Sequence, residues 1–116
     1  MRVFGLLLFL ALYTSCTKDK TMPAEPVECD NEISFAQDVQ PILMNSCATT
    51  GCHSTSSSAN NMAFENYAGV FQHRELILKT VRHEAGVTPM PIGAGQLAAS
   101  DIQKIACWIS QGALDN

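Results

Sequence analysis

The run Cys47-Ala48-Thr49-Thr50-Gly51-Cys52-His53 gathers two thiols and an imidazole within seven residues. A histidine directly after one cysteine, with another cysteine shortly upstream, is the outline of covalent haem attachment. Two thiols reach the two vinyl groups of one haem, while the neighbouring imidazole ligates the iron. The commoner spacer, C-x-x-C-H, is shorter; here four residues separate the cysteines. Cysteines three positions apart lie about 60° from each other around a helix, whereas cysteines five apart lie about 140° apart. A regular helix therefore cannot aim both thiols at one ring edge, and the segment must loop out. Thr49 and Thr50 are β-branched and disfavour helix, and Gly51 accepts a positive φ, so the residue types suit a loop.

Thirty-seven residues after His53 comes Thr88-Pro89-Met90-Pro91. A methionine between prolines offers a soft thioether from a stiffened loop with few competing N–H donors, which suits a second iron ligand. Filling a gap in the core is its plainer role. His73 and His83 are alternative sixth ligands; both have charged neighbours and are expected to face solvent, His73 at a helix start and His83 at a helix end. Met62, in the loop after the motif, is a weaker candidate. Other chemistries draw on the same residues. Cys47, Cys52 and His53 with His73 or His83 make a zinc donor set, although adjacent ligands at Cys52 and His53 are geometrically awkward. Cys29, Cys47, Cys52 and Cys107 make two bridges of a disulfide-stapled structural protein. A haem with an open sixth position would serve an enzyme or a gas sensor.

A small domain has to position these groups. The chain has 116 residues, with seven Lys+Arg against eleven Asp+Glu. Val3 to Tyr13 is apolar apart from Gly5 and follows a lone Arg2, the pattern of an export signal and too short for a spanning helix. Tyr13-Thr14-Ser15-Cys16 resembles a bacterial lipoprotein signal, with Tyr13 where leucine is usual. That resemblance implies a lipid on Cys16; a plain secretory cut near Ser15 is the other reading. Thr17, rather than Asp, follows Cys16, which favours an outer-membrane anchor facing the periplasm or the cell surface. Loss of 1–15 removes Arg2 and leaves six basic residues against eleven acidic ones. Without a basic patch, nucleic acid is excluded as a partner, as is electrostatic adhesion to anionic lipid. A partner docking through charge must be basic.

Lys18 to Glu28 holds Pro23 and Pro26 and no apolar periodicity, so it reads as an extended linker. The expected organisation is a signal over 1–15, a tether over 16–28 and a folded domain over 29–116. A domain of that size has a thin core and needs staples. Three helices are predicted and no strand. Ser34 caps the first, with Gln37 three residues on, and Phe35, Val39, Ile42 and Leu43 face inward; Pro41 kinks or restarts it. The second covers Glu75 to His83, with Leu76, Ile77 and Val81 inward, after a short turn around Tyr67–Phe71. Ser100 caps the third, Ile102, Ile105, Ala106 and Ile109 form its stripe, and Gly112 ends it. Ser54–Asn61 is expected to be a flexible loop. The class is all-α with long loops.

Taken in order, these elements resemble the small monohaem c-type cytochromes of class I. They are most similar to exported lipoprotein cytochromes related to the cytochrome domains of planctomycete proteins. The resemblance rests on Asp38-Val39-Gln40-Pro41-Ile42-Leu43 leading into Cys47, on Gly51-Cys52-His53, and on Met90-Pro91. It continues through Leu97-Ala98-Ala99-Ser100-Asp101-Ile102 and Ile105 to Trp108-Ile109 and Gly112-Ala113. It implies a cytochrome c-like helical domain around one covalent haem c. Cys47 and Cys52 would form the thioethers, with His53 the proximal and Met90 the distal iron ligand. Trp108, Phe64, Tyr67 and Phe71 would pack the haem edge or the helix contacts, and Tyr67 could donate to a haem propionate. In that family the first and last helices cross beside the haem, which brings Cys29 towards Cys107. A disulfide between them would contribute roughly 4 kcal/mol through chain entropy; two separate buried thiols are the alternative. The implied function is electron transfer between redox proteins, with no acid–base pair or activated nucleophile to suggest an enzyme.

Overall fold

The computed structural model describes residues 27–116. The signal over 1–15, the lipidation site Cys16 and most of the tether lie outside the described residues. Val27 nevertheless packs against the core, and the Glu28 carbonyl accepts from Gln103 Nε2 at 2.6 Å. The packed chain thus takes in two residues that the tether was expected to include.

The described residues form three α-helices and no strand: α1 (Gln40–Ser46), α2 (Tyr67–Val81) and α3 (Ala99–Ser110). A π-helical turn, Phe35–Val39, leads directly into α1. Ser34 Oγ accepts from the Gln37 amide at 3.2 Å and so caps the turn, as the sequence pattern predicts. Pro41 then stands in the first turn of α1, where its missing N–H leaves no broken bond. The chain widens just upstream of that proline, with the Val39 amide reaching back to the Ser34 carbonyl at 3.3 Å. Phe35, Val39 and Leu43 are buried, and Ile42 is half-buried.

The second helix differs from the expectation. The Tyr67–Phe71 turn and the Glu75–His83 helix are one continuous helix, α2, capped by Asn66, whose Oδ1 accepts from the Gly69 amide at 3.0 Å. The polar stretch Gln72-His73-Arg74 masked the apolar period, but such residues are good helix formers or tolerated ones. Ile77 and Val81 are buried as predicted, whereas Leu76 is 41% exposed. α3 starts one residue earlier than Ser100: Ala98 is the extended cap residue, without a side-chain bond, and its carbonyl accepts from Asp101 and Ile102. Alanine at position 99 favours helix strongly enough to carry it upstream of the serine. Gly112, at φ +105, ends the helix, with its amide on the Ile109 carbonyl and the Ala113 amide on that of Trp108.

The three helical segments meet at an aromatic junction. Phe35 stands edge-on to Tyr67, with centroids 5.2 Å apart, and tilts against Trp108 at 5.5 Å. Both polar handles are satisfied, Tyr67 Oη donating to the Ala113 carbonyl at 2.9 Å and Trp108 Nε1 to that of Leu114 at 2.8 Å. The Tyr67 hydroxyl is thereby committed to closing the C-terminal end of the fold rather than to a haem propionate. Cys29 and Cys107 are joined by a disulfide, Cα atoms 5.7 Å apart, which clips the start of the described chain to α3. No helix among the described residues is long and apolar enough to cross a membrane.

Candidate functional site

Cys47 closes α1, its amide on the Leu43 carbonyl at 2.8 Å, and the chain then loops as the four-residue spacer requires. Gly51 takes φ +84, the Cys52 amide turns back to the Thr49 carbonyl at 3.0 Å, and the His53 amide returns to the Cys47 carbonyl at 3.0 Å. The spacer is therefore a closed loop, and Cys47, Cys52 and His53 all line one hollow. Cys47 is buried and Cys52 exposed, both as free thiols. Burial, and secondarily the neighbouring Cys52, push the Cys47 thiol up to about 11.

The imidazole of His53 is buried and held on two sides. Its ring stacks on Phe64, centroids 4.5 Å apart, and Nδ1 lies 3.0 Å from the Met62 carbonyl. A carbonyl only accepts, so Nδ1 carries the proton and Nε2 keeps its lone pair. That is the arrangement of a metal-ligating histidine, in which the second nitrogen's hydrogen bond fixes tautomer and ring orientation. The following loop is knit rather than loose. Ser54 is buried and its hydroxyl meets those of Ser56 and Ser57. The Glu65 carboxylate accepts from both the backbone and the hydroxyl of Thr55. Left-handed residues at Ser58, Asn60 and Asn61 let the chain reverse there.

Met90 arrives from the other side of the fold. Its amide donates to the Thr80 carbonyl at 3.1 Å, and its own carbonyl lies 3.0 Å from His83 Nε2. Two hollows adjoin at this place, and Cys47, His53 and Met90 line both. The outer one, of about 230 Å³, also takes Cys52, Gly51, Pro91 and Ile92. The inner one, of about 40 Å³, is walled by Met62, Phe64, Leu76, Ile77 and Val81. All four residues expected around the haem thus converge on one crevice. Residues 40–64 and 85–100, which supply most of its wall, contain no Asp, Glu, Lys or Arg.

Of the alternative ligands, His73 departs from the expectation and His83 faces solvent as expected. His73 lies in the middle of α2, half-buried, and lines the inner hollow instead of facing solvent from a helix start, because α2 begins earlier. His83 is exposed, but its ring is engaged with the Met90 backbone. Sequence reasoning missed that contact, and nothing local announces it. Met62 contributes its carbonyl to His53 and its side chain to the inner wall. Among the described residues, no group of three or more His, Cys, Asp and Glu side chains comes together as a metal cluster.

The donor set fits a covalently held haem. Two thiols are free on one loop, the His53 imidazole is oriented by its Nδ1 bond to the Met62 carbonyl, and Met90 lines the same hollows, whose walls carry no Asp, Glu, Lys or Arg. No family model, no curated protein and no solved structure matches the chain.

Proposed function

We propose that this protein transfers electrons through one covalently bound haem c, as an exported, lipid-anchored carrier rather than an enzyme. In this reading Cys47 and Cys52 hold the haem as thioethers, His53 Nε2 ligates the iron from one side and the Met90 thioether from the other. When bound, the haem supplies a one-electron ferric/ferrous couple. The observation that carries the reading is that His53 and Met90, from two loops 37 residues apart, line one crevice. The Met62 carbonyl already fixes the imidazole in the tautomer that ligation needs.

The chain's own residues bear on the couple in three ways. The uncharged wall offers nothing to offset the extra positive charge of ferric iron, which favours the reduced form. A thioether ligand acts in the same direction. The apolar side chains of Phe64, Ile77 and Val81 keep water from the inner side. Redox proteins are the expected partners, with the membrane reached only through the lipid on Cys16. The zinc alternative draws on Cys47, Cys52 and His53 as well, but gives no role to Met90, which lines the same hollow. The two-bridge alternative conflicts with the free thiols at Cys47 and Cys52.

The test is a reduced-minus-oxidised visible spectrum of protein made with a c-type maturation system, followed by denaturing mass analysis. A sharp low-spin spectrum and one haem retained on the denatured chain are expected. A colourless protein, from a host that matures other c-type cytochromes, would overturn the reading.

A further inference from the structure

The end of α2 carries a conformational cost with no local explanation. The His83 amide bonds the Thr80 carbonyl at 3.2 Å and the Glu84 amide that of Lys79 at 3.1 Å, the paired bonds of a Schellman stop. Its left-handed position falls on His83, at φ +55, where glycine sits without strain and a residue with a Cβ does not. The histidine is exposed, so core packing does not account for it.

Its ring does have a partner. Nε2 lies 3.0 Å from the Met90 carbonyl, and because that oxygen only accepts, Nε2 carries the proton and donates. The Met90 amide meanwhile donates to Thr80, in the last turn of the same helix. Both backbone polar groups of Met90 are therefore tied to one helix end, the amide by the backbone and the carbonyl by His83. The left-handed turn is what carries the His83 ring back over the loop.

We propose that His83 is a positioning residue for Met90, fastening its backbone to the end of α2 so that the thioether stays in the crevice opposite His53. The proposal rests on Met90 being the distal ligand. It distinguishes His83 from a residue that merely stops a helix: glycine would stop the helix better, yet would release Met90.

The experiment uses the full haem-loaded protein in four forms: wild type, His83→Gly, His83→Gln and Met90→Ala. Glutamine places an amide N–H as many bonds from Cα as the histidine Nε2, so it can restore the donor. Displacement of the thioether by added imidazole is followed through the loss of the thioether–ferric charge-transfer band. Exchange of the Met90 amide hydrogen is followed in parallel. His83→Gly is expected to bind imidazole about tenfold more tightly, the size of one lost hydrogen bond, and to exchange the Met90 amide faster. Its unfolding midpoint should be equal to or above that of wild type. His83→Gln should return both readouts towards wild type. Unchanged imidazole affinity and amide exchange in His83→Gly, with Met90→Ala opening the iron, would overturn the positioning role alone. A band and affinity unchanged in Met90→Ala would overturn the ligand assignment and, with it, this proposal.

Discussion

Phe64 lies against His53 with ring planes 29° from parallel and centroids 4.5 Å apart, and the Phe64 amide donates to the His53 carbonyl at 2.8 Å. One residue thus braces both the ring and the backbone of His53. Phe64→Ala keeps the backbone bond but removes the buried stack. A loss of about 3 kcal/mol in stability is expected from denaturant unfolding. The altered imidazole orientation should appear as a shifted ferric paramagnetic resonance spectrum, whereas Phe64→Leu should keep most of the stability and still shift the spectrum.

Met90→Ala removes the thioether while leaving the loop's prolines in place. The potential is expected to fall by on the order of 0.1 V, a modest part of the ~0.8 V over which axial ligands tune haem iron. The reduced variant should bind carbon monoxide at neutral pH, and the wild type should not. Carbon monoxide binding by the wild type would point to an open site and to an enzyme or gas sensor.

The disulfide between Cys29 and Cys107 closes a loop with a sequence separation of 78 residues. Replacing both by serine is expected to lower stability by about 4 kcal/mol on chain entropy alone. Urea unfolding of the double variant measures this. Alkylation of the unreduced wild type under denaturing conditions, read by mass, should add nothing at these two positions.

At Gly69 a Cβ would overlap the Ala63 carbonyl oxygen, so the chain entering α2 has no room for a side chain. Gly69→Ala gains helix propensity yet is expected to destabilise by about 1–3 kcal/mol through overpacking. An unfolding midpoint equal to or above the wild-type value would contradict the close approach.

Asp38 accepts from the Ser34 amide at 3.1 Å and pairs with Lys104 Nζ at 3.1 Å, and these two contacts hold its carboxyl below the ordinary value of 3.8. A lowered folded value means that the stabilisation is present above the unfolded pKa and is lost as pH falls through the folded one. Asp38→Asn should therefore be less stable than wild type at neutral pH, with the gap closing in acid below pH 3.8. Urea midpoints measured across that range give the comparison. Because the pair is partly exposed, added salt should narrow the gap at neutral pH.

What the amino-acid sequence determined by itself is what acts over a few residues. Ser34 caps its helix because its hydroxyl is within reach of Gln37, and Pro41 restarts the helix because it lacks an N–H. Gly51 and Gly112 turn where a left-handed backbone is needed. The loop of the cysteine spacer follows from helical geometry alone. The continuity of α2 was not legible, because its apolar face is interrupted by polar residues and its start depends on Gly69 fitting beneath Ala63. With that helix extended, His73 moves from a surface end to the wall of the inner hollow. Tyr67 goes to Ala113, Met62 to His53 and His83 to Met90, each pairing set by where the chain folds back. Such contacts depend on packing, since one carbonyl attracts a donor as well as another. Only the tertiary structure decides which two are brought together.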